Sequence, residues 1–275
     1  MLKLLAFAGC TVNDPVQELV LQGHAVDHFR AAGFAHPLFA LSPAGIGQLL
    51  DVLAGRDPVP RALWPYCYAG AWRVPGTRPT PDAILVEIST LTEFRLEDVV
   101  LNANIVGDDL SARIAALPGM DAKAVRAWKN ALGKCREDLR REAVDAILPH
   151  CPDGADRAVI EGVRTTPAQL SAIEHSIESV RAMFANIPMG LSLHRYQYMS
   201  QARAIDWPPE LSREVRAVAA RLALPLFDGA ALVTRYGNNV ALASDARSWA
   251  RAFLPVVADA LADFVRSFGG TADAA

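Results

Sequence analysis

Met1 to Val16 reads MLKLLAFAGCTVNDPV, and the fold is decided by how that stretch divides. Leu2, Leu4, Leu5, Ala6 and Phe7 form an apolar run without polar alternation, the pattern of a strand buried on both faces of a parallel sheet. Gly9 then permits a sharp turn. Asp14 reads as an N-cap, Pro15 as the first helical residue, and Gln17 completes a capping box three positions after Asp14. The stretch therefore predicts strand, tight loop and helix. In open α/β sheets a loop at the carboxyl end of the first strand is where ligands bind, and this one carries Cys10, Thr11 and Asn13. Placed near a helix N-terminus, Cys10 has the environment that favours a thiolate; a buried cysteine of small core type is the competing reading.

Working outward, 275 residues at 52% hydrophobic content suffice for one large α/β core with a helical insertion. A net charge of −3 and few, scattered aromatics speak against nucleic acid as a partner. Phe7-Ala8-Gly9-Cys10 resembles a lipoprotein cleavage box, but an export signal needs an apolar region of roughly 7–15 residues, and Leu4 to Ala8 is too short. No run of about 18 apolar residues follows, so no membrane span and a cytoplasmic location are expected. Cys10, Cys67, Cys135 and Cys151 show no metal-ligand spacing and read as free thiols, with no metal expected. His24 and His28 share a helical face but lack a third ligand, and read as solvated. No glycine-rich phosphate loop follows a strand.

Further along, Ile46, Leu49, Leu50 and Leu53 predict a helix over Pro43 to Ala54. Pro58 to Pro81 reads as irregular, and a weak second strand falls near Pro37 to Leu41. DAILVEIST, Asp82 to Thr90, is the clearest strand. Its one acid, Glu87, must be paired or face a cleft. From about 96 to 184 the pattern is helical: Asp121 to Leu148 reads as one helix stopped by Pro149, and Thr166-Pro167 opens another. An excursion of this kind could cover the sheet or serve a homodimer. GLSLHRYQY, Gly190 to Tyr198, resumes the sheet and places His194 at a carboxyl strand end. Pro208 to Leu222 reads as a helix, Leu224 to Phe227 as a strand, Gly237-Asn238-Asn239 as a turn, and Asp245 as the cap of a last helix carrying Trp249 and Phe253. The single domain is expected to span 1–268, with 269–275 a disordered tail.

This order of elements resembles the SGNH or GDSL hydrolase superfamily. The likeness rests on the strand-turn-helix at Leu2 to Leu21, on the strand Asp82 to Thr90, and on Leu224 to Val265, which looks like the family's closing strand and final helix. It implies a three-layer α/β/α sandwich around a mostly parallel, flavodoxin-like sheet. The family's Gly-Asp-Ser is here Gly9-Cys10-Thr11, and its Gly-x-Asn-Asp is Ile88-Ser89-Thr90-Leu91. Its Asp-x-x-His becomes Asp245-Ala246-Arg247-Ser248. Ala8-Gly9-Cys10 is closer to divergent relatives whose opening block is Gly-Ser-Cys or Gly-Asn-Cys, among them proteins of bacterial surface-polysaccharide gene clusters.

The resemblance implies an acyl-ester hydrolase or acyltransferase with a cysteine nucleophile, acting on a small-molecule, glycan or carrier-bound acyl group. Cys10, His194 and Asp245 are then the catalytic candidates. Thr11, Asn13, Ser89, Thr90, Tyr196 and Ser248 are the substrate-binding ones. No resident cofactor is implied beyond an acyl donor such as acyl-CoA. Ser248 at the usual His position supports the alternative, an inactive binding or scaffold protein of the same fold.

Overall fold

The structure is a computed structural model that describes residues 2–27, 42–56, 59–68, 80–193, 196–197, 204–205, 209–243 and 248–269. The apolar run at the start forms β1 (Leu2–Phe7) and leads into α1 (Cys10–Leu21) and β2 (Ala25–Asp27). The second strong run forms β3 (Ala83–Ile88), buried at every position. With β7 (Met189–Leu193) and β10 (Leu226–Phe227) these build a five-stranded sheet of order β2-β1-β3-β7-β10, every pair parallel. The parallel strands thus run 2-1-3-4-5 in chain order, the doubly wound arrangement of flavodoxin-like folds, and the expected three-layer α/β/α architecture is what the chain adopts.

Alternation along the strands sorts side chains between the layers. Leu5, Phe7, Ile84, Val86, Ile88, Leu191 and Leu193 point to one face, covered by α2 (Pro43–Leu53), α8 (Ser171–Met183) and α9 (Pro209–Arg221). Leu4, Ala6, Ala8, Ala83 and Leu85 point to the other, covered by α1 and α12 (Leu254–Gly269). Gly190 on β7 is required there, because a Cβ would stand 2.7 Å from a ring carbon of Phe268. Two rings of α12 occupy the space a side chain would need.

A second core grows out of the carboxyl end of β3. There β4 (Thr92–Leu96), β5 (Val99–Leu101) and β6 (Arg164–Pro167) form an antiparallel sheet of order β5-β4-β6. Between β5 and β6 lie a π-helical turn (Ile105–Leu110), α4 (Ser111–Ala115), α5 (Ala122–Gly133), α6 (Glu137–Ile147) and α7 (Ala155–Gly162). Their apolar residues gather around the fully buried Trp128. The excursion closes where the Ala168 amide donates to the Leu91 carbonyl, 2.6 Å. Three further bonds tie it to α2. The Gln48 carboxamide donates to the Val100 carbonyl and accepts from the Val100 amide, both 2.9 Å, and Ala44 N–H donates to Glu93 at 3.1 Å.

Several expectations are corrected. The stretch 96–184 is not wholly helical: β5 and β6 fall inside it, too short to show a strand period, and α8 packs on the main sheet. Asp121 to Leu148 is two helices, because Cys135 adopts a left-handed backbone (φ 53°) and the Arg136 amide turns back to Ala131 O at 2.9 Å. α1 starts at Cys10 with Gly9 as its cap, five residues before the residue read as the cap. The last helix starts at Leu254, with Pro255 in its first turn; Trp249 lies before it, in an antiparallel bridge to Leu242. Gly237 leads into a short helix, Asn238–Ala241, rather than a plain turn. α12 extends to Gly269, and 270–275, like Pro37 to Leu41 and His28, lie outside the described residues.

Candidate functional site

The sheet order fixes where a site belongs. Successive crossovers leave to opposite sides of β1, so a crevice opens between the carboxyl ends of β1 and β3. The chain passes this crevice at Ala8-Gly9-Cys10 and again at Ser89-Thr90.

Cys10 is the first residue of α1, whose N-terminus brings the positive end of a helix dipole to the crevice. The corner below it is tied from three directions. Gly9 N–H donates to Glu87 Oε2 at 2.9 Å. Asn13 Nδ2 donates to the Ala8 carbonyl at 2.7 Å, fastening the first turn of α1 to the end of β1. The Trp249 indole N–H donates to the Thr11 carbonyl at 2.8 Å. That last bond has a cause in the sequence. In a helix the amide of residue 15 would bond the carbonyl of residue 11, but residue 15 is proline and has no N–H. The indole supplies a donor where the helix lacks one.

Glu87 continues the alternation Ala83, Leu85, Glu87 towards the α1 layer and is fully buried, with Ser192 opposite it on β7. Asp14, half-buried on α1, has its carboxyl pushed above the ordinary carboxylate range, chiefly by burial and further by the charge of Glu87. Two carboxyl groups therefore share the electrostatic environment beneath the first turn of α1.

The sequence pattern that defines the TviD N-terminal domain family matches residues 2–264. The chain belongs to that family. Comparison with curated proteins and with solved structures returns no match. The match takes in both cores, so the excursion from β4 to β6 is as much a part of this TviD N-terminal domain as the parallel sheet.

In this family member, several sequence-predicted site residues converge on the corner. Thr11 and Asn13 are buried in the first turn of α1, and Ser89 is buried just after β3. Thr90 is half-buried, and its Oγ1 accepts the Thr92 amide at 2.9 Å, shaping the turn into β4. Ser248 is half-buried beside Trp249, and its carbonyl accepts the Ala243 amide at 3.0 Å, while Trp249 itself reaches α1 at the Thr11 carbonyl. Tyr196 lies in β8 (Tyr196–Gln197), paired with β9 (Ala204–Ile205). His194 and Asp245 lie outside the described residues; Leu193, the residue before His194, pairs with Ile88.

Three contributors were misread or left open by sequence reasoning: Asp14, Trp249 and Glu87. Asp14 reads as a cap and Trp249 as helix core, whereas both belong to the corner. The signal for Trp249 was Pro15 itself, which leaves a carbonyl in need of a donor. Among the described residues no group of three or more His, Cys, Asp or Glu side chains is placed to hold a metal, and no helix is long and apolar enough to cross a membrane.

Proposed function

We propose that this TviD N-terminal domain transfers or hydrolyses an acyl group through a thioester on Cys10, in the manner of the SGNH/GDSL superfamily. The observation that carries the reading is topological: the strand order opens its crevice at the residue that begins α1, and that residue is a cysteine. Membership of the TviD N-terminal domain family supports an acyltransferase-like role.

In the proposed reaction the Cys10 thiol gives its proton to a base, for which the resemblance assigns His194 oriented by Asp245. The sulfur attacks the acyl carbonyl, a C–S bond forms, and the C–O or C–S bond to the donor breaks as the leaving group takes a proton. A hydroxyl of the acceptor, or water, then attacks the thioester carbonyl while the base removes its proton. The C–S bond breaks and the thiol is restored. Backbone amides at the start of α1 are the groups suited to the developing oxyanion.

The test uses p-nitrophenyl acetate and acetyl-CoA as donors, with the wild-type chain, Cys10→Ala and Cys10→Ser. Cys10→Ala is expected to lower turnover by about 10³-fold or more, and intact-mass analysis is expected to find an acetyl adduct on Cys10 in the wild type. Unchanged turnover in both variants, with no adduct, removes Cys10 from the chemistry. Turnover no higher than the uncatalysed background, with no adduct in the wild type, would instead favour a binding protein, the reading that Ser248 at the usual His position supports.

A further inference from the structure

The α1-side layer of the sheet is apolar at every neighbouring position of β1 and β3: Leu4, Ala6, Ala8, Ala83 and Leu85. Continuing that pattern, position 87 calls for another apolar side chain. Instead it holds a fully buried glutamate, which forgoes hydration that an alanine or leucine would not need. The cost is compounded, since the same charge bears on Asp14 one turn into α1. Departures from a local rule that gather at a strand's carboxyl end are what a functional corner requires. The glutamate also reaches a specific atom. Its Oε2 accepts the Gly9 amide at 2.9 Å across 78 residues of chain, and Gly9 is the cap on which Cys10 and the first turn of α1 rest.

We infer that Glu87 is the positioning residue of the corner: by holding the Gly9 amide it fixes the strand-to-helix turn that presents Cys10 at the crevice. The other two ties join Asn13 to the Ala8 carbonyl and Trp249 to the Thr11 carbonyl. Glu87 is the tie made to the capping residue itself. What the role needs from it is an acceptor oxygen at the right reach, which glutamine also possesses. This inference rests on the acyl-transfer reading for its kinetic consequence, but the hold on Gly9 stands apart from that reading and is measured separately.

The experiment compares the wild type, Glu87→Ala, Glu87→Gln and Cys10→Ala. Glu87→Ala is expected to lower kcat by about 10²-fold, the effect of a reacting group displaced by about 1 Å, with KM within about threefold. Glu87→Gln, which keeps the acceptor, is expected to recover kcat to within about tenfold of the wild type. Hydrogen exchange at Gly9 to Asn13 is expected to quicken in Glu87→Ala and to remain slow in Glu87→Gln. If Glu87→Ala fails to fold, Glu87→Asp, shorter by one methylene, takes its place with the same expectations. Native kcat and native exchange in the alanine variant overturn the inference, as does a glutamine variant as slow as the alanine one. If Cys10→Ala turns over like the wild type, the acyl-transfer reading fails. The exchange at Gly9 then decides on its own whether Glu87 holds the turn.

Discussion

The bond between the Trp249 indole and the Thr11 carbonyl makes a quantitative prediction, because its need arises from one covalent fact, the missing amide hydrogen of Pro15. In Trp249→Phe an aromatic ring stays in place but the buried carbonyl loses its donor. A lost bond of this kind costs about 1–1.5 kcal/mol, and the smaller ring leaves space worth roughly another 1 kcal/mol. Trp249 is 4% exposed and packs against Phe253 in a tilted pair with ring centroids 6.1 Å apart, so water does not freely replace the indole. The single variant should therefore lose about 2–3 kcal/mol. Pro15→Ala restores an amide one turn beyond Thr11. In that background the carbonyl has a helical donor, and Trp249→Phe should cost about 1 kcal/mol less than it does in the wild type. Chemical denaturation followed by circular dichroism on all four chains gives the coupling directly, provided the denaturant slopes agree. Effects that add to within about 0.3 kcal/mol would refute the idea that indole and amide serve the same oxygen.

Other outcomes follow from single positions. Gly190→Ala places a methyl against the Phe268 and Phe264 rings at 2.7–3.0 Å and is expected to destabilise by about 2 kcal/mol, seen as a fall in Tm of about 5 °C; an unchanged Tm would show that the rings yield freely. For Asp14 the sign is fixed by its raised carboxyl pKa. Its favourable contribution is complete below the unfolded-state value and is lost as pH rises through the folded-state value, so at neutral pH the native state carries an unfavourable charge. Asp14→Asn should accordingly raise Tm at about pH 7 and leave it unchanged at about pH 3; a gain of equal size at both would exclude the electrostatic cause. Burial pushes the Cys67 thiol up to about 12 despite a hydrogen bond with Gln48, whereas Cys135 is exposed. Iodoacetamide at about pH 8 should modify Cys135 in the folded protein and Cys67 only after unfolding, and peptide mapping that finds equal rates would contradict the packing of Cys67.

The elements with a complete signal inside their own sequence were legible. Leu2 to Phe7 and Ala83 to Ile88 are uninterrupted apolar runs and became central strands, and Ile46, Leu49, Leu50 and Leu53 recur at helical spacing and became the inner face of α2. What failed was information held by distant partners. Asn13-Asp14-Pro15 has the composition of a helix start, yet the helix begins at Cys10, because a tryptophan 238 residues away satisfies the carbonyl that the proline leaves open. β5 has three residues and β6 four, fewer than a period needs to declare itself, and they exist because β4 pairs with both. At the site, the place of Cys10 beside the sheet's carboxyl rim followed from strand-then-turn reading. The tie of Glu87 to Gly9 did not, since nothing near residue 87 announces which amide it meets.

Gln48 has a consequence for the excursion as a whole. β5 is the outer ribbon of its small sheet, and the carboxamide of Gln48 engages both backbone groups of Val100 as a neighbouring strand would. A foreign ribbon seeking to extend that sheet finds the middle of its margin taken. The same clasp, with Ala44 on Glu93, means that any sway of the excursion must drag α2 across the sheet it covers.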